Sequence, residues 1–436
     1  MKITVVGLGK IGLPLAVQCA GRGHHVLGAD VDPDVVAAVR RAQAPFPGEP
    51  ELAERLGRVV DVGALEATTD TTAAVTASEA VIVVVPLYVD GAGAPRFDAL
   101  DAAMAAVGRG LRPGTVVVVE TTLPVGTTRG RLAHALQEAS GLRAGREFFL
   151  AFSPERVSSG SVFTDLARYP KLVGGVDTAS TRRAIALYEA VLTFAERPDL
   201  ARPNGVWDMG SAEAAELAKL AETTYRDVNI GLVNQFALYA GRIGVDIGTV
   251  IEACNSQPYS HLHRPGIAVG GHCIPVYPWF YLAGDPDATI VRAAREANAA
   301  MPARTVDMLE RVRGPLRGTT VVVLGACYRG GVKETAFSGV HATVEALRHR
   351  GAAPLVHDVL LTDDEITALG FEPYRGSPVH AAVLHTDHPE YADLTPADLP
   401  GVDTLVDGRG VIDPSRWPGV TVLALGRATA GEQRER

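Results

Sequence analysis

The sequence has only four cysteines in 436 residues, Cys19, Cys254, Cys273 and Cys327, with no CxxC pair and no zinc-like spacing to histidine. Neither a disulfide framework nor a structural metal is expected. A basic block is missing too: 41 Lys+Arg against 50 Asp+Glu leave a formal charge of -9, which excludes nucleic acid as a partner. No uninterrupted apolar span reaches the roughly 18 residues a membrane helix needs. The apolar N-terminus "MKITVVGLGKIGLPLA" is punctuated by glycines and carries no small-residue cleavage site. The expectation is a cytoplasmic protein without membrane contact.

What is present is ordinary globular chemistry, 47% apolar and 21% charged residues, enough for well-formed hydrophobic cores. At roughly 100–200 residues per domain, the length allows two or three domains. Only the tail "GEQRER" reads as frayed.

Residues 1–30 read strand, glycine turn, helix, strand, and further β-branched runs at 80–86, 115–121 and 147–155 follow alanine-rich helical segments. That alternation predicts a parallel, doubly wound sheet. The pattern breaks at "AERPDLARPNGVW" (195–207), after which 211–244 keeps helical periodicity for over thirty residues. Such a helix bridges domains or subunits. From 317 the alternation restarts with "RGTTVVVLGACY". The predicted fold class is α/β, two Rossmann-like doubly wound domains joined by a long central helix.

Gly7, Gly9 and Gly12 form GxGxxG between a predicted strand and helix, with Lys10 and Ile11 inside the motif and Asp30 ending the next strand eighteen residues after Gly12. The glycines suit a tight turn and a pyrophosphate at a helix N-terminus, and the carboxylate suits a ribose diol, so NAD is expected rather than NADP. Asp32 can share that role. Most free cysteines are small buried hydrophobes, a reading that suits Cys19, Cys254 and Cys327. Cys273 differs, because "PGIAVGGHCIP" holds it in a glycine-bounded loop where backbone amides can approach an oxyanion. His272, its chain neighbour, points to the opposite face of an extended segment and reads as structural. A cysteine nucleophile beside NAD suggests aldehyde oxidation through a thiohemiacetal and a thioester. That chemistry needs a cation and a carboxylate base, for which Lys219 and Glu155 are the candidates, with Thr223 one turn beyond Lys219.

With these motifs assembled, the chain resembles the nucleotide-sugar 6-dehydrogenases, the UDP-glucose/GDP-mannose dehydrogenase family, over nearly its whole length. The resemblance rests on "GLGKIGLPLA", "ETTLPVGTTR", "FSPERVSSG", "AELAKLAETTYRDVNI", "PGIAVGGHCIP", "TDHPEY" and "VDGRGVID". "GGHCIPV" is most similar to the branch acting on UDP-N-acetylhexosamines. The resemblance implies an NAD-binding domain (1–203), a central helical dimerisation region (204–314) and a nucleotide-sugar-binding domain (315–436), in a homodimer. It implies oxidation of the primary alcohol of a nucleotide-activated hexose, UDP-glucose, a UDP-N-acetylhexosamine or TDP-glucose, to the uronic acid with two NAD. Cys273 would be the nucleophile, Glu155 the hydrolytic base, Lys219 the oxyanion partner and Thr122 a positioner beside substrate and cofactor. Gly270, Gly271, Arg329 and Arg409 would meet the substrate.

Four positions depart from the family's pattern. Tyr277 stands where the family has an aspartate, Thr223 where it has an asparagine, Leu87 where it has a threonine and Ala336 where it has an arginine, with Lys333 nearby. Threonine still donates one hydrogen bond, whereas a neutral phenol cannot replace a carboxylate. An alternative reading is therefore a divergent member that stops at the aldehyde or binds nucleotide sugar without full turnover.

Overall fold

The computed structural model describes residues 1–427, so the "GEQRER" tail lies outside the described residues. The chain divides into two compact units: Met1–Glu222 with Trp279–Pro286, and Thr223–Pro278 with Asp287 onward.

The first unit is built on an eight-stranded sheet. Its order is Val206–Asp208, Lys171–Gly175, Phe149–Phe152, Val116–Val119, Ala80–Val83, Lys2–Val6, His25–Ala29, Leu65–Thr68. From Phe149–Phe152 to Leu65–Thr68 every pair is parallel, and the order reverses beside Lys2–Val6, the arrangement of a dinucleotide-binding sheet. The two strands at one edge depart from the all-parallel expectation: Lys171–Gly175 runs antiparallel to Phe149–Phe152, and Val206–Asp208 runs parallel to Lys171–Gly175. The central strands are buried on both faces, as with Val116–Val119, because helices cover both sides. Their runs of valine, stiff at χ1, fill that two-sided core.

In the second unit a five-stranded, wholly parallel sheet has the order Ala353–His357, Thr320–Leu324, Ala381–Leu384, Thr404–Asp407, Thr421–Ala424. The predicted long helix is Ala212–Ile243, 32 residues. Among the described residues no helix is long and apolar enough to cross a membrane.

Candidate active site

The motif residues of the first unit collect at the carboxyl ends of its parallel strands, where open α/β sheets bind ligands. Gly7 has φ +92°, a conformation that excludes most side chains, and a Cβ on Gly12 would collide with the carbonyl oxygen of Gly7. Nothing lies within 4 Å of the corresponding point on Gly9, which is exposed. The three glycines thus divide the work: the first turns the chain, the last packs the helix Gly12–Gly21 on the strand, and the middle one leaves room for a pyrophosphate. Asp30 Oδ2 accepts the Leu8 N–H at 2.7 Å and its Oδ1 accepts the Asp32 N–H at 3.0 Å. The loop and the strand-end carboxylate are therefore held together as a dinucleotide site requires. Asp32 caps the helix Pro33–Arg40, its Oδ1 accepting from the Asp34 N–H at 2.8 Å. Lys10 and Ile11 are half-buried in the turn before the helix.

Thr122 is buried in the loop after Val116–Val119, and Thr121 ties that loop to its neighbour by donating to the Val85 carbonyl at 2.6 Å. Leu87, in place of the family's threonine, is buried as well. Glu216 of the long helix holds the same loop from beyond: its carboxylate accepts from the Gly126 N–H at 2.6 Å and from both the N–H and the hydroxyl of Thr128. Lys219, one turn further along, is 5% exposed, with its ammonium 3.5 Å from Glu222. Thr223 follows on the same helical face and is fully buried.

Glu155, the candidate base, is not a solvated charge. Its Oε1 accepts from the N–H groups of Arg156 (2.6 Å) and Val157 (3.1 Å), and its Oε2 accepts from Lys171 at 2.7 Å. Lys171 also reaches Glu120 at 3.0 Å. Burial opposes the charge on Glu155, but Lys171 and the backbone donors outweigh it and hold the carboxyl below its usual range.

In the second unit, Cys273 sits half-buried between the loop and the helix Tyr277–Gly284, its carbonyl accepting from the Val276 and Tyr277 N–H groups. Cys19 and Cys327 are buried as expected, whereas Cys254 is only part-buried. Burial pushes the Cys327 thiol up to about 12 and raises Cys19 further still, while Cys254 lies in the helix Ile247–Asn255. The glycines before Cys273 are required by what lies beneath them. Gly271 has φ +94° over the Tyr328 ring, and a Cβ on Gly270 would press on Tyr328. The Gly271 N–H donates to the carbonyl of Ala336 at 3.0 Å, so the position where the family has an arginine here supports the cysteine loop through its backbone. Lys333 does not replace that arginine simply, because its ammonium pairs with Glu365 at 2.7 Å. His272 is exposed and lies 3.5 Å from Glu334.

A buried polar network anchors the loop, and sequence reasoning missed it. Asn234 accepts from the Gly266 N–H at 2.9 Å at one end; Arg295 donates to the Pro275 carbonyl at 3.0 Å at the other. Arg295 is paired with Asp227 at 2.7 Å, and Asn298 bridges Asp227 to Asn234. The available signal was charge and amide in otherwise apolar helical segments, "TYRDVNI" and "VRAAREANAA".

Arg329 is exposed, over the Tyr328 ring. Arg409 turns inward, its Nε donating to the His385 carbonyl at 2.7 Å and one Nη to the Tyr328 carbonyl at 3.3 Å. Behind this edge Cys327, Asp358 and His388 bring their polar atoms within 4.8 Å of one another. His388 Nδ1 accepts from the Gly331 N–H at 3.2 Å, which leaves Nε2 as the donor to Asp358 at 3.2 Å. Asp358 also accepts from the Ala326 and Cys327 N–H groups. The cluster is a closed hydrogen-bond network that braces the loop carrying Tyr328 and Arg329.

Residues 1–192 match the NAD binding domain of the UDP-glucose/GDP-mannose dehydrogenase family, and residues 213–300 match its central domain. The chain is 33% identical over 422 residues to a UDP-N-acetyl-D-mannosamine dehydrogenase of Pyrococcus horikoshii, covering 94% of this chain and 96% of that one. It is 29% identical over 430 residues to an NDP-N-acetyl-D-galactosaminuronic acid dehydrogenase of Ralstonia solanacearum, covering 95% and 97%. Among solved structures, the UDP-D-ManNAc dehydrogenase of Pyrococcus horikoshii superimposes with a TM-score of 0.86 at 31% identity, covering 98% of this chain and 99% of that one.

Proposed function

The chain belongs to the UDP-glucose/GDP-mannose dehydrogenase family, and from that premise we propose that it oxidises the primary alcohol of a UDP-N-acetylhexosamine to the uronic acid. The activity class, NAD-dependent nucleotide-sugar dehydrogenase, follows from the family. The sugar class is our reading, supported by the relatives named for N-acetylated sugars.

The observation that carries the covalent mechanism is the contrast among the cysteines. Two are buried with thiols pushed up; Cys254 is part-exposed but lies within the helix Ile247–Asn255; Cys273 is part-exposed in a braced glycine loop at a helix start. A nucleophile needs access and a thiolate, which the buried positions deny. Bound NAD supplies the hydride acceptor for both oxidations. Cys273 Sγ adds to the aldehyde carbon to give a thiohemiacetal, and loss of hydride from that carbon leaves a thioester. Water, giving its proton to Glu155, then releases the acid and the thiolate. Lys219 stabilises the developing oxyanion, with Thr223 as a neutral hydrogen-bonding group and Thr122 positioning the reactants. Gly270, Gly271, Arg329 and Arg409 belong to the sugar-nucleotide side. These roles are supported by the family's motifs at the matching positions.

In this reading residues 1–203 bind NAD, 204–314 form the dimerisation region and 315–436 bind the nucleotide sugar. Homodimer formation is supported by a stripe on the long helix, where Tyr225, Leu232, Phe236 and Tyr239 are 40–55% exposed. A cytoplasmic setting suits four free cysteines and an NAD-linked reaction. The test is purified protein with NAD and a panel of UDP-N-acetylhexosamines, UDP-glucose and TDP-glucose. Faster NADH formation with an N-acetylhexosamine is expected; turnover of UDP-glucose alone would overturn the sugar class, and no turnover with any sugar would overturn the activity.

A further inference from the structure

Behind Glu155 lies a second carboxylate that the reaction as described does not use. Glu120 closes the strand Val116–Val119, Lys171 opens the strand Lys171–Gly175, and Tyr188 comes from the helix Thr178–Val191. The side chains of Glu120, Lys171 and Glu155 are 0%, 5% and 12% exposed, so all three charges are removed from water. Lys171 Nζ is 2.7 Å from Glu155 and 3.0 Å from Glu120.

The two oxygens of Glu120 are used unequally. Oε1 accepts from both Lys171 and the Tyr188 hydroxyl, whereas Oε2 is buried and, among the described residues, has no hydrogen-bond partner. An ionised carboxylate spreads its charge over both oxygens, and a buried one without a donor carries a large desolvation penalty. A neutral Glu120 carboxyl, hydrogen-bonded to the Glu155 carboxylate, carries less of that penalty. One buried ammonium then balances one buried carboxylate, that of Glu155, which is the closer of the two.

We propose that Glu120 is a positioning residue that competes with Glu155 for Lys171, and so sets how strongly Glu155 takes a proton during thioester hydrolysis. This rests on the reading of Glu155 as the hydrolytic base. With Glu120 neutral, Lys171 is committed to Glu155, whose carboxylate is well satisfied and a weak base. Once Glu120 ionises, two carboxylates share one ammonium and the cluster carries an unbalanced buried negative charge. Protonation of Glu155 relieves it. In the hydrolytic step, water oxygen adds to the acyl carbon, its proton moves to Glu155, and the C–S bond breaks with its electron pair returning to Cys273. No electrons are gained or lost. The groups facing Glu120 are Lys171, Glu155, Tyr188 and, from the helix Gly12–Gly21, the neutral thiol of Cys19. Burial is the main force that pushes the Glu120 carboxyl up, to about 7, with Lys171 acting against it and Glu155 adding to it.

The experiment follows decay of the Cys273 acyl-enzyme by quenched mass spectrometry, across pH, using NAD and UDP-N-acetyl-D-mannosamine or whichever sugar the panel identifies. In the wild type the hydrolysis rate should rise with an ionisation near 7. Glu120→Gln should remove that rise and slow hydrolysis above it by about three- to tenfold. Tyr188→Phe, which takes a donor from ionised Glu120, should move the rise to higher pH and serves if the first variant does not fold. A rise at the wild-type pH in Glu120→Gln, or in Tyr188→Phe, overturns the proposal. Wild-type hydrolysis in Glu155→Gln would instead overturn the reading of Glu155 as base.

Discussion

The backbone N–H of Tyr277 donates to the carbonyl of Cys273 across 2.9 Å. The helix Tyr277–Gly284 therefore begins one turn after the thiol, and residue 277 is its first position. A carboxylate there would lie in the first helical turn, where negative charge is favoured. Tyr277→Asp should keep the fold, since an acidic residue suits the first turn of a helix. It should raise kcat by about tenfold or more if the missing carboxylate is what limits the chemistry. Steady-state NADH formation measures this, and an unchanged or lower kcat would show that the tyrosine is adapted to the site.

The glycine loop separates folding from binding. Gly9→Ala meets no protein atom within 4 Å, so the melting temperature should hold while NAD affinity falls by at least about tenfold, the cost of roughly 1.4 kcal/mol of lost approach. Gly12→Ala drives its Cβ into the Gly7 carbonyl and should lower the melting temperature itself. Thermal melts with and without NAD distinguish the two; equal melting temperatures for both variants would contradict the assignment.

Arg295 holds the loop after Cys273 and neutralises Asp227, which burial otherwise pushes up. Arg295→Ala leaves that carboxyl unpaired and should cost about 3–5 kcal/mol by denaturant unfolding. A loss below about 1 kcal/mol would show that the network is not the loop's anchor.

Asp358 gives the second unit an acid limit. Burial disfavours its charge, but His388 and the N–H groups of Cys327, Leu360 and Ala326 outweigh burial and hold the carboxyl well below its ordinary value of 3.8. A depressed folded-state value means the stabilisation is present above about 3.8 and is lost as pH falls below it. Stability measured between pH 5 and 2.5 should fall more steeply for the wild type than for Asp358→Asn, which should already be weaker at pH 7 by about 1.5–3 kcal/mol. Parallel curves would contradict this.

Much of this was legible in the residues. Valine runs marked the parallel strands, GxGxxG with Asp30 marked the strand–turn–helix–strand opening of the first unit, and the unbroken periodicity of 211–244 marked the helix Ala212–Ile243. The reversed strand Lys171–Gly175 was not legible, because a short buried run has the same period whichever way it pairs. Lys171 and Glu120 were invisible for a related reason. Each is a single charge at the end of an apolar run, indistinguishable in sequence from a solvated strand end, and only the neighbouring strands bring them together. Asp32 was left open beside Asp30 because a carboxylate before a helix can serve as cap, as ligand or as both; the structure adds that it caps the helix Pro33–Arg40.

The central claim is four-electron oxidation through a thioester on Cys273. It is tested most directly by counting NADH against sugar consumed, with purified protein, excess NAD and limiting nucleotide sugar. Two NADH per sugar, with Cys273→Ser forming no acid, is the expected result. One NADH per sugar, with an aldehyde product trapped by hydroxylamine, would contradict it.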